Sequence, residues 1–125
     1  MSNYIGYLQK NRTIVRPENN RFEQMRTIKG IITFGSNIPL FTFALKKMVP
    51  VRLPAGATWV NYHDPDDILD YPPKPISPAY LRVVRRDTAI NVGGLFLSWN
   101  PLPHKGYWTD NDFTKPVGHF ISRLL

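Results

Sequence analysis

The sequence predicts an α/β fold, a small sheet with flanking helices and long proline-rich loops, on three observations. Two short runs, IKGIITFG (28–35) and ATWVNYH (57–63), are rich in β-branched and aromatic residues and too short to be buried helices. The C-terminal stretch from Asp112 places Phe113, Val117, Phe120, Ile121 and Leu124 on one helical face. Twelve prolines and eight glycines in 125 residues require many ordered loops between such elements.

In chain order, residues 3–9 and about 19–27 read only weakly, as helix or loop. Ile28, Ile31, Ile32, Thr33 and Phe34 then form a strand suited to burial on both faces, closed by Gly35. SNIPLFTFALKKM is apolar but broken by Pro39, which allows a loop with a helical turn. The second strand, ATWVNYH, runs into an acid cluster, NYHDPDDILDYPP (61–73), with four aspartates in seven positions. Pro72, Pro73, Pro75 and Pro78 follow and are expected to forbid regular structure. YLRVV, DTAINVGG and LFLSW are short strand-like pieces. The closing helix has Asn111 or Thr109 available as a cap and Pro116 in its first turn.

No linker, repeat or low-complexity tract interrupts the chain, so 1–125 reads as a single domain. A hydrophobic fraction of 42% with 20% charged residues fits a globular chain, and no apolar run is long enough to span a bilayer. The absence of cysteine excludes disulfides and thiolate zinc sites. MSNYIGYLQKNR lacks the apolar core of a secretory signal, so a cytoplasmic location is expected.

The net charge of +7 is unevenly placed. Residues 1–63 hold nine Lys or Arg against Glu18 and Glu23, whereas 64–125 hold seven charges of each sign. The whole excess therefore lies in the first half, which opens one functional reading: a non-catalytic binding or scaffold domain that meets an anionic partner through a basic surface. Nucleic acid is not the expected partner. The bases are scattered, from Lys10 to Lys29, and neither an RNP-like box, nor zinc spacing, nor a helix-turn-helix pattern accompanies them.

The acid cluster and a downstream histidine open a second reading. In an open α/β sheet, sites form in loops leaving the carboxyl ends of strands. A carboxylate there can accept the Nδ1–H of a histidine and leave Nε2 to take a proton from a nucleophile. Asp64, Asp66 and Asp67 are candidate acids. Of the three histidines, His63 lies at the end of a strand and His119 in the closing helix, while His104 occupies the rigid loop NPLPHKGYW. Metal binding by His63, Asp64, Asp66 and Asp67 fails the calcium-loop pattern, whose glycine and distant glutamate are missing. No metal or cofactor is expected.

The run DDILDYPP, followed downstream by HKGYW, resembles the C-terminal part of α/β-hydrolases, in particular the lipase- and esterase-like members. Their acid loop reads Asp-Ile-Val with prolines beyond, and their histidine precedes Tyr-Trp. TFGSNIPLF resembles the strand and loop that follow the nucleophile-bearing unit, and SWNPLPHKGYWTDNDFTKPVGHFISRLL resembles the histidine loop and final helix. The three motifs stand in the family's order and cover about residues 28–125. The resemblance implies Asp67 as the triad acid, with Asp64 the alternative, and His104 as the general base. Asp66 and Asp70 are then expected to shape the turn or face solvent.

One departure matters more than the match. The family's serine sits in a G-x-S-x-G elbow that precedes the acid and the histidine, and no such motif occurs here. Ser36 and Ser98 lack the flanking glycines. The expectation is a fragment or divergent member of the superfamily. It carries the acid and histidine of a carboxylic ester hydrolase, is inactive by itself, and is completed by an N-terminal half that docks on an exposed sheet edge, the edge being equally open to self-association.

Overall fold

A computed structural model describes residue 9 and residues 20–23, 25–42, 49–92 and 106–125. Its centre is a three-stranded sheet in the order β1-β2-β3, formed by β1 (Gly30–Phe34), β2 (Thr58–His63) and β3 (Val84–Ala89), all parallel. Parallel neighbours require crossovers. Between β1 and β2 the chain forms the short helix α2 (Ile38–Thr42); between β2 and β3 it forms a 3₁₀ turn, η1 (Lys74–Ile76), and the helix α3 (Pro78–Val83). A one-turn helix, α1 (Asn20–Glu23), precedes the sheet, and α4 (Asn111–Ser122) closes the chain. This is a small α/β arrangement with helices on both faces of the sheet.

Alternation along the strands divides the core in two. Val60 and Tyr62 of β2 point to one face, where Val92, Tyr107 and Phe113 join them and Ile32, Phe34, Val117 and Phe120 pack alongside. Trp59 points to the other face, against Tyr80 of α3 and Val84, with Ile31, Ile38, Leu53 and Ile76 around it. The apolar side of α4 thus covers one face and the β2–β3 crossover covers the other. Burying an aromatic such as Phe113 contributes about 2–3 kcal/mol, and four described rings meet it: Phe34, Tyr62, Tyr107 and Trp108 lie with centroids 4.6, 5.6, 5.4 and 6.5 Å away. Gly30 admits α4 closely, since a Cβ there would meet Leu124 and Phe120 at 2.9 Å.

Several expectations need correction. The proline-dense stretch does form helix: Pro78 begins α3, where a missing N–H costs nothing, and the Ser77 hydroxyl accepts the Tyr80 N–H as its cap. YLRVV is therefore helix up to Val83, and the strand begins at Val84. The cap of α4 is Asp110, whose carboxylate accepts the Asp112 N–H at 2.8 Å, not Asn111 or Thr109. Pro116 lies inside α4 beyond its first turn, and Ile121, assigned to the apolar face, is exposed. β1 is only partly buried throughout, because among the described residues it pairs on one side alone. LFLSW lies outside the described residues. No helix among the described residues is long and apolar enough to cross a membrane.

One irregularity organises the polar side of the sheet. Between Trp59 and Val60 the β2–β3 register slips, so that Val84 opposes Trp59 but Arg86 opposes Val60. The extra residue brings Asp87 opposite Asn61, whose side-chain amide donates to it at 2.7 Å. Asn61 is fully buried and also accepts the Thr33 hydroxyl, which in turn accepts Trp59 Nε1 at 3.0 Å. Lys74 N donates to the second Asp87 oxygen at 3.0 Å. A buried amide left without these partners would cost about 1–3 kcal/mol.

Candidate active site

The acid cluster leaves the carboxyl end of β2, and its aspartates fall into two kinds. Asp64, Asp67 and Asp70 are buried, at 2%, 4% and 5% exposure, whereas Asp66 is exposed. The spacing of three is that of consecutive turns: Asp67 N donates to Asp64 O at 3.1 Å and Asp70 N to Asp67 O at 3.0 Å. Each turn is reinforced by a side chain, since Asp64 Oδ1 accepts the Asp66 N–H and Asp67 Oδ1 accepts the Leu69 N–H, both at 2.9 Å. Asp66 alone points outward.

The second oxygens reach further. Asp64 Oδ2 accepts the Val92 N–H at 2.8 Å, holding the chain beyond β3 against the loop. Asp70 Oδ1 accepts the Ser36 N–H at 2.6 Å, and Ser36 O accepts the Tyr71 N–H at 2.9 Å, which joins the exit of β1 to the end of the acid loop. Asp70 Oδ2 accepts both the Asp64 N–H and the Tyr107 hydroxyl, at 2.9 and 2.6 Å. Burial pushes the Asp70 carboxyl above its ordinary value although these donors pull the other way. Burial and the neighbouring Asp70 likewise push the Tyr107 phenol upward.

Of the two roles expected of Asp70, shaping the turn or facing solvent, it takes the first: its N–H closes the turn from Asp67, and its carboxylate is buried under three donors from three parts of the chain. Asp64, the alternative acid, has both oxygens engaged by backbone N–H groups. Asp67 holds the Leu69 N–H through one oxygen from a buried position on the same loop. Ser36 is buried, and its Oγ accepts the Ile38 N–H at the start of α2, the role of a turn residue. His104 and Ser98 lie outside the described residues. His119 is exposed on α4.

The segment that carries His104 is bracketed by two described anchors, and both contact the acid loop. Val92 is the one, through Asp64. Tyr107, completely buried, is the other, through Asp70 and through the Asp64 N–H, which donates to its hydroxyl at 3.1 Å. The anchors also touch: a Cβ on Gly106 would meet Val92 at 2.7 Å. Phe34, the last residue of β1, packs against Tyr107 and Trp108 with ring centroids 5.4 and 5.1 Å away.

Asp87 was not singled out from the sequence, yet it is the carboxylate beside His63. Their Nδ1 and Oδ1 lie 3.5 Å apart, and the buried His63 Nδ1 has no hydrogen-bond partner among the described residues. The signal that could have found this pair is the alternation Asn61, His63 on one strand face; the register slip that brings Asp87 to that face left none. Among the described residues no three His, Asp or Glu side chains are grouped to hold a metal ion. No protein-family model, curated protein or solved structure matches the chain.

Proposed function

We propose that this chain supplies the acid and the histidine of a serine-dependent carboxylic ester hydrolase of the α/β-hydrolase type, with Asp67 orienting His104. The observation that carries this reading is the double tether of the histidine-bearing segment to the acid loop, Val92 to Asp64 on one side and Tyr107 to Asp70 on the other. His104 is three residues from Tyr107, at most ~11 Å of chain between Cα atoms. The described flanks of its segment, Val92 and Tyr107, are both bonded to the loop that carries Asp67. Accepting the His104 Nδ1–H would let the Asp67 carboxylate fix the tautomer and stabilise the imidazolium while Nε2 takes the serine proton.

The serine belongs to a segment or chain outside these 125 residues, since no G-x-S-x-G occurs in them. The edge of β1 is the natural place for that unit to add a parallel strand. Gly30–Phe34 contains no charge and no proline, whereas β3 carries exposed Arg85 and Arg86, residues that discourage edge pairing.

Histidine NMR of the ¹⁵N-labelled chain tests the reading. Asp67→Asn keeps a side-chain oxygen for Leu69 N and removes the carboxylate, so the loop should persist. The expected result is a downfield His104 Nδ1–H that disappears in Asp67→Asn, with His63 and His119 unchanged. A His104 that titrates identically in both proteins would overturn the assignment.

A further inference from the structure

We propose that a cleft beside the entry to the sheet binds a small, multiply charged phosphate-bearing anion. The cleft has a volume of about 590 Å³ and three arginines, Arg21, Arg26 and Arg52, line it. That volume is within the range of small-ligand sites. All three side chains are exposed, and among the described residues none has a carboxylate partner within 4.0 Å. Three guanidinium side chains on one cleft, with no acidic residue in its described lining, match the oxygens of a di- or triphosphate, which a guanidinium binds through two N–H groups at once.

The walls are held in place. Gln9 grips the backbone of Arg52 from both sides, its Nε2 donating to Arg52 O at 3.0 Å and its Oε1 accepting the Arg52 N–H at 3.1 Å. Arg21 and Arg26 are joined by the turn that ends α1: Arg26 N donates to Arg21 O at 2.7 Å and Met25 N to Phe22 O at 2.8 Å. This is the helix-ending motif that calls for a left-handed residue, and Met25 takes that conformation with φ 55°. A non-glycine residue in this strained region, on the wall of a charged cleft, fits a ligand clamp. Leu53, next to Arg52 on the wall, packs into the core around Trp59 and anchors that side.

The cleft is built from chain entering β1 and β2, and the acid loop from chain leaving β2, so the two sites are separate. The proposal is therefore independent of the hydrolase reading. It also gives part of the basic excess of the first half a specific place.

Calorimetric titration of the full chain with inorganic pyrophosphate at low ionic strength tests it. Saturable binding of one pyrophosphate per chain is expected. Arg52→Gln should weaken it at least tenfold, and Arg21→Gln and Arg26→Gln at least threefold each. Arg82→Gln with Arg85→Gln, at exposed positions elsewhere, should leave it within twofold, as should Asp67→Asn. Because every substituted arginine is exposed, unfolding midpoints should be unchanged, and Arg52→Lys, which keeps the charge but not the fork, should fall between wild type and Arg52→Gln. Absence of saturable binding, or equal weakening in the Arg82/Arg85 variant, would overturn the proposal. So would binding of a twelve-nucleotide single strand that pyrophosphate fails to displace, since that outcome describes an extended polyanion surface.

Discussion

Tyr107 donates its hydroxyl to Asp70 at 2.6 Å across 37 positions of sequence, and both groups are buried. The bond joins the segment leading into the last helix to the loop that leaves the central strand. Asp70 also takes the Ser36 N–H, so one carboxylate links the exit of β1, the acid loop and the residue three positions after His104. Removing the hydroxyl with Tyr107→Phe takes away a charge-assisted buried bond, and urea unfolding should show a loss of about 2 kcal/mol. A change under about 0.5 kcal/mol would mean that the bond adds nothing beyond ring packing.

The same pair sets a pH dependence. The folded-state pKa of Asp70 lies above its ordinary 3.8, burial being the main cause. The folded chain therefore binds the proton more tightly than the unfolded chain between these values. The contribution of Asp70 to stability is fully present below about pH 3.8 and is lost as the pH rises through the folded pKa. Measured by urea unfolding at successive pH values, the stability of wild type relative to Asp70→Asn should fall along that interval; a flat difference would contradict it. Tyr107, also shifted upward, should cause a second loss above pH 10 that Tyr107→Phe abolishes.

Asp64 and Asp66 differ by two positions and should differ widely in effect. Asp64→Ala strands the N–H groups of Asp66 and Val92, the latter buried, and should cost about 2–4 kcal/mol in chemical denaturation. Asp66→Ala removes an exposed side chain and should stay within about 0.5 kcal/mol. Equal effects would contradict the inward role assigned to the 64–67–70 spacing.

Gly106 is needed for its lack of a side chain. A Cβ there would stand 2.7 Å from Val92 Cγ1, so Gly106→Ala should lower stability by about 1–3 kcal/mol through overpacking between the two anchors. Val92→Ala in the same background should recover part of that loss, and an unchanged double variant would exclude the clash as its cause.

Met25 offers a stabilising change. Its left-handed backbone, φ 55°, costs about 1–2 kcal/mol in a residue with a Cβ. Met25→Gly should raise the unfolding free energy by about 1 kcal/mol, less the greater chain entropy of glycine. Met25→Ala, which keeps the Cβ, should give no such gain.

β1, β2 and the final helix were legible in the chain because their signals are local. Ile31, Ile32, Thr33 and Phe34 declare a strand, and Phe113, Val117 and Phe120 a helix, by spacing within a few residues. The prolines misled, since Pro78 breaks a helix only in the interior and its position relative to Ser77 decided otherwise. For the acid loop, the sequence showed four aspartates and no rule for ranking them. The pairing of Asp67 with His104 rests on the resemblance.

By itself, then, the sequence determined β1, β2 and the closing helix, the excess of positive charge in the first half, and the absence of a nucleophile elbow. Tertiary structure alone decided that Asp70 is buried against Tyr107, that a one-residue slip brings Asp87 to Asn61 and His63, and that three scattered arginines share one cleft. The reason is physical. Helix and strand preferences come from neighbours along the chain, whereas the role of a carboxylate or guanidinium depends on whether water, an N–H group or an opposite charge surrounds it. Register and packing between residues dozens of positions apart supply those surroundings.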